Sequence, residues 1–281
     1  MKLKIISLLF TLLAISNFSF AQYKHTHSEV FLKATKSMYG IEEDIEFQNE
    51  LINKDLKTND KLKTFTDDEV KTQNVTFGMF MDDSKYSHYV TKGDKFTTDC
   101  YTWVFEIKDF QSRCEDSNNY IGKFEINCKD NVFSLNGFKG YKACERISKL
   151  MGIDTYPEHI WLCTFAVPLN KIFRPAYQTS ITSNIFEEEN GKWKVSLDGL
   201  KEFDNIKIKG KNNEDIKHIS PQYWLGLLQK SKEYPWTRMG YTYDWEENST
   251  DHMGVSEFVI VPGTITNSLT PIWSVLFSSQ S

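Results

Sequence analysis

The sequence predicts an α+β fold: a single domain with a largely antiparallel sheet and a few helices. Three observations lead there. Strand-like segments mostly follow one another, amphipathic helical stretches are few, and no Gly-rich strand-to-helix turn of the doubly wound type occurs. With 40% apolar and 14% aromatic residues in 281, the chain can supply a proper core.

Taken in order, the chain opens on Met1-Lys2-Leu3-Lys4, an apolar run from Ile5 to Ile15, and small residues at Ser19 and Ala21. These are the three parts of a cleavable secretory signal over residues 1–21, too short an apolar run for a membrane anchor. The mature chain is expected to begin near Gln22 as one α+β domain over 22–281, secreted or periplasmic. Residues 22–72 form an N-terminal helical and connecting part. In it Ile41, Ile45, Ile52 and Leu56 fall at helical spacing, and 57–72 is a charged, Thr-rich connector.

Val75, Phe77, Met79 and Met81 alternate as a strand. Tyr101 to Ile107, Tyr120 to Cys128 and Val132 to Leu135 are further strand candidates. The period then changes: Tyr141, Cys144, Ile147 and Met151 share a helical face, with Gly152 as the stop. A buried strand around Cys163 ends at Pro168, and Phe173-Arg174-Pro175 must run extended before its proline. Residues 180–216 are weakly patterned, with strands at Trp193–Leu197 and Ile206–Ile208. Ser220-Pro221 then announces a helix by a serine cap and a first-turn proline, with Tyr223, Trp224, Leu227 and Leu228 as its apolar side. Strands return at Val255–Val261 and Ile272–Phe277.

Composition excludes some classes. Loss of Lys2 and Lys4 with the signal leaves a charge of about −7, the wrong sign for a nucleic-acid partner. Lys, Asp, Glu and Asn interrupt every later apolar segment, so the chain is not expected to span a membrane. Of five cysteines, Cys163 sits in an apolar strand and is expected to be a free, inert thiol. Cys100, Cys114, Cys128 and Cys144 are expected to form two disulfides outside the cytoplasm, in any of three pairings. Neither C-x-x-C nor H-x-x-x-H spacing occurs, so no metal and no cofactor are expected. There is no G-x-S-x-G elbow and no phosphate-cradling loop. The scattered histidines read as structural or solvated.

The unusual stretch is Tyr234 to Trp245, five aromatics in twelve residues, followed by Gly254 to Ile260. Alternation suggests two strands, paired as a hairpin around the loop from Glu247 to Gly254. That register sets Tyr243 against Phe258, Tyr241 against Ile260, Thr242 against Val259 and Asp244 against Glu257, with Arg238 toward the acids. Two opposed carboxylates repel unless a cation or a proton compensates, and catalytic acid pairs and binding sites are built in this way. Asp244 and Glu257 are therefore the candidate catalytic acids, and Arg238, Trp236, Tyr241 and Tyr243 the candidate binding residues. The plainer alternative is a hairpin whose charges are solvated and whose aromatic face packs the core.

Four blocks carry a resemblance: Cys144-Glu145-Arg146-Ile147 through Gly152, Ile172-Phe173-Arg174-Pro175, Tyr234 to Trp245, and Gly254 to Ile260. Together they resemble a family of uncharacterised exported bacterial proteins with CERL, FRP, YPWTRLGYTYDW and GLSEFVI motifs in that order. The similarity spans about residues 140–265, the family-like core. It implies secretion and a shared C-terminal fold, and it implies no activity. This chain departs from the pattern at Ala176 and around Ile185-Phe186, where the family carries cysteines, implying that a bridge is missing here. Ser256 to Thr264 also resembles the late strand of ADP-ribosyltransferases, with Glu257 in the place of the catalytic glutamate. The upstream Arg and Ser-Thr-Ser elements of those enzymes are not evident.

The reading that follows is an exported protein that binds a protein or small-molecule partner through its aromatic segment, since Tyr and Trp are common anchors. The alternative is an exported hydrolase or transferase using Glu257 and Asp244 with Arg238.

Overall fold

The computed structural model describes residues 61–81, 95–98, 100–115, 124–127, 132–135, 141–152, 161–190, 192–203, 208–209, 215–216, 220–228, 239–244, 246, 253–268 and 273–274. The expected signal over 1–21, the expected helix over 41–56, Trp236, Arg238 and Cys128 lie outside the described residues.

In chain order the strands are β1 (Asn74–Met81), β2 (Lys95–Thr97), β3 (Thr102–Glu106), β4 (Phe124–Asn127), β5 (Val132–Leu135), β6 (Trp161–Pro168), β7 (Ile172–Phe173), β8 (Glu187–Glu189), β9 (Lys192–Lys194), β10 (Ile208–Lys209), β11 (Asp215–Ile216), β12 (Tyr241–Tyr243), β13 (Met253–Ser256), β14 (Phe258–Ile260), β15 (Ile265–Ser268) and β16 (Trp273–Ser274). The α-helices are α1 (Asp67–Thr72), α2 (Ile107–Glu115), α3 (Tyr141–Leu150) and α4 (Pro221–Leu228). Ten of the described strands join one sheet in the order β4-β5-β16-β6-β1-β3-β14-β7, with β15 bridging β2 and β6. Among the described strand pairs only β5 with β16 is parallel. The class is α+β with a mostly antiparallel sheet, as the sequence predicts.

β1 occupies the middle because it is apolar on alternate residues and has no proline. It pairs with β6 along its whole length, Phe77 opposite Phe165 and Met79 opposite Cys163, and with β3 on its other edge. The inward residues of one sheet face form a core of Phe77, Met79, Val104, Cys163, Phe165, Val167, Phe258 and Ile260, closed by Phe65 and Ile181. The Phe77 ring meets Phe258 edge-on at 5.4 Å. Cys163 is a free thiol in this core, and burial pushes its pKa up to about 12.

The opposite face carries Trp103, Phe173 and Val259, covered by α4 and the 3₁₀ turn Asp198–Phe203. Trp224 of α4 stacks beside Tyr101 at 4.7 Å and stands edge-on to Phe173. Ser220 caps α4 by accepting the Tyr223 amide proton. The sequence placed Tyr223 on the apolar side, but it is half exposed, and Trp224 and Leu225 are the buried pair. Pro221 opens the helix at a phase that turns Trp224 and Leu225 inward and Tyr223 outward.

One further expectation needs correction. The expected strand from Tyr101 to Ile107 ends at Glu106, where the chain turns into α2, the Glu106 carboxylate accepting the Asp109 amide at 2.7 Å. The described part of the connector 57–72 begins at Lys61. Leu62 and Phe65 are buried, and α1 starts with a capping box between Thr66 and Glu69. No disulfide is seen among the described residues; Cys128 and the side chain of Cys144 lie outside them. No described helix is long and apolar enough to cross a membrane.

Candidate functional site

β12 and β13 form a hairpin apart from the main sheet, and the register differs from the expected one. Tyr241 faces Ser256 and Tyr243 faces Met253, with a bulge between. The expected strand 255–261 breaks at Glu257: β13 stays with β12, while β14 crosses into the sheet between β3 and β7. The physical reason is burial on both faces. Phe258, Val259 and Ile260 are all apolar and enclosed, which suits a central strand rather than one arm of a half-solvated hairpin.

Asp244 therefore does not face Glu257. It is wholly buried and gives both carboxylate oxygens to one guanidinium, Oδ1 accepting from Nη1 of Arg146 at 2.8 Å and Oδ2 from Nη2 at 2.6 Å. Oδ1 also accepts the Glu246 amide. This is the planar, bidentate geometry that suits arginine and that lysine cannot reproduce. One helical turn further, Lys149 of α3 pairs with Glu246 at 3.0 Å. Thr242 completes the docking, its hydroxyl donating to the Leu150 carbonyl and accepting the Val255 amide. The C-terminal half of α3 thus sits on the hairpin through three successive polar contacts. Gly254 is required beneath them, because a Cβ there would overlap Thr242 and the Leu150 carbonyl.

Glu257 lies at the strand break, buried, its amide donating to the Gly240 carbonyl at 2.9 Å. Gly240 has φ +85°, and a Cβ at this position would collide with the Arg174 side chain. Arg174, from the extended segment after β7, is the largest fully buried side chain among the described residues. Its Nη1 donates to the Ser183 carbonyl and its Nη2 to the Lys63 carbonyl, both at 2.7 Å, and the guanidinium lies 5.8 Å from the Phe258 ring centre. Burial lowers its pKa to about 10, opposed by the nearby Asp109 carboxylate, so it remains a cation at neutral pH.

Asp109 and Arg113 of α2 supply the next layer. Asp109 accepts the Ser256 amide at 2.7 Å, and Arg113 donates to the Lys61 carbonyl at 2.9 Å and to the Met253 sulfur. Burial holds the carboxyls of Glu106 and Asp109 above the usual carboxylate range. Tyr241 is buried with Met239, Met253, Phe186 and Leu62. The described part of the aromatic segment thus lines a pocket filled by Leu62. The side chain of Tyr243, like Trp236 and Arg238, lies outside the described residues.

Sequence reasoning missed three arginines here. Arg146 and Arg174 stood inside motif blocks without a role, and Arg113 stood unremarked; the available signal was the spacing of Ile107, Phe110 and Cys114 on one helical face. Among the described residues, no group of three His, Cys, Asp or Glu side chains is placed to hold a metal ion. No family model, curated protein or solved structure matches this chain.

Proposed function

We propose that this chain is an exported binding module, carried out of the cytoplasm by residues 1–21, that holds a protein or small-molecule partner beside the Trp236–Trp245 segment. One observation carries the reading: Asp244 spends both oxygens on Arg146 while sealed from water. A general acid or base must exchange a proton with a reacting group it touches. A carboxylate clamped by a guanidinium on both oxygens is instead a fastener, and it fixes the aromatic hairpin on α3. A hairpin held in one arrangement suits binding, because little entropy is lost when a partner arrives.

The resemblance to exported bacterial proteins with the YPWTRLGYTYDW motif supports the export part of this reading alone. The competing reading is a hydrolase or transferase driven by Glu257. The test compares the full exported chain with Glu257→Gln and Trp236→Ala on ester, phosphoester and glycoside substrates and on a glycan array. Expected are a ligand retained by Glu257→Gln and lost by Trp236→Ala, with no Glu257-dependent turnover. Turnover abolished by Glu257→Gln would replace binding with acid–base catalysis.

A further inference from the structure

Lys61 to Phe65 belongs to no helix or strand, yet it is held at every other residue. The Lys61 carbonyl accepts from Arg113, the Lys63 amide donates to the Ser256 hydroxyl, and the Lys63 carbonyl accepts from Arg174. The Phe65 amide donates to the Ile181 carbonyl at 3.0 Å. Three of these four bonds come from side chains on separate elements, α2, β13 and the segment after β7. Between them the chain drops two anchors. Leu62 enters the pocket of Phe186, Met239, Tyr241 and Met253, and Phe65 enters the main core against Phe77 and Phe258. Lys63 stays partly exposed, its ammonium 4.9 Å above the Phe65 ring.

Most main-chain hydrogen bonds in a fold join backbone to backbone. Here two buried guanidiniums, each costly to desolvate, are aimed at main-chain carbonyls of one short segment. Main-chain capture for affinity, with pockets for spaced side chains for specificity, is the logic of peptide recognition.

We propose that α2, β13 and the segment around Arg174 form a peptide seat, filled in cis by Lys61–Phe65, whose partner is an extended protein segment carrying Leu and Phe three residues apart. This deepens the binding reading and rests on it, by naming the partner's chemistry. A tethered segment has a high effective concentration, so the native chain excludes a free competitor until its own segment is weakened.

The experiment uses the full chain and a labelled peptide of residues 59–67. Leu62→Ser, shown folded by circular dichroism, is expected to bind that peptide at least about tenfold more tightly than the native chain does. A peptide with both Leu62 and Phe65 replaced by serine is expected not to bind. Equal binding by the native chain and the variant, or none by the folded variant, overturns the seat. Should Leu62→Ser fail to fold, hydrogen exchange on the native chain decides. The Lys63 and Phe65 amides must exchange at least about a hundredfold faster than those of Phe77 and Phe165, reporting local release. Equal protection would make the segment a permanent part of the core and end the proposal. Loss of the seat would leave binding through Trp236 standing, whereas Glu257-dependent turnover would remove the binding reading and leave the peptide result readable.

Discussion

Phe77 in the middle of the main sheet and Asp244 at the end of the hairpin are both sealed from water, one among phenylalanines and the other against a guanidinium. The sheet around Phe77 is held by a continuous ladder and by apolar area, which is non-directional and forgiving of shape-conserving exchange. The hairpin region is held by buried charge and by side chains gripping backbone: Arg146 on Asp244, Arg174 on the carbonyls of Ser183 and Lys63, and Asp109 on the Ser256 amide. Such contacts are directional and depend on both partners being present. The difference teaches that the sheet is held by apolar area, while the hairpin region is specified geometrically. A charge network that must be complete to be tolerated places backbone and side chains in one arrangement only.

The two regions are told apart most sharply by truncation and rescue, read by denaturant unfolding. Phe77→Ala should cost about 3–5 kcal/mol, with no distant change restoring it. Asp244→Asn should cost about as much, 3–5 kcal/mol, because it strands the Arg146 cation in a dry site. The double replacement Arg146→Met with Asp244→Leu should recover most of that loss. A double variant no more stable than Asp244→Asn would show that the pair is not the unit holding the hairpin.

Gly240→Ala should come next, at more than about 1–2 kcal/mol, since it meets a left-handed backbone and the Arg174 side chain together. A neutral outcome would mean that Arg174 can leave its position, and the fixed geometry of the hairpin region would be in doubt.

A smaller effect concerns pH. Glu106 and Asp109 have native pKa values raised by burial, so between the unfolded value of about 4 and the raised one the native state binds more protons than the unfolded state. Their cost is absent below the unfolded pKa and complete above the native one, and stability should fall as pH rises through that window. Asp109→Asn should flatten this part of the profile relative to the native chain. A steeper profile would reverse the sign argued here. Smallest of all, Lys201→Ala removes an ion pair with Asp198 that is exposed on both sides, and no change in unfolding midpoint is expected.

The legible parts of the chain were those where burial follows local period. β1 and α3 are readable because their apolar residues recur at two or at three to four positions, and β6 because it is an apolar run ending at Pro168. The capped start of α4 was readable from Ser220-Pro221. The helix α2 is not legible because Ile107, its first residue, extends the Trp103, Phe105, Ile107 alternation of β3 past Glu106. The arm at Tyr241–Tyr243 lies where alternation predicts a strand, but its partner is Met253–Ser256 rather than 255–261. Symmetry about a loop assigns a register only when both arms belong to the same hairpin, and β14 had been claimed by β3 and β7.

By itself, then, the sequence determined that apolar alternation would build an antiparallel sheet with few helices, and that the Tyr234–Trp245 block was chemically unusual. Only the tertiary structure decided what the charges of that block do. Arg146 and Asp244 are 98 positions apart, and Arg174 and the Lys63 carbonyl 111. Periodicity reports which side of an element faces inward. It says nothing about which buried cation meets which buried acid, because that choice is made by packing between elements after each has formed.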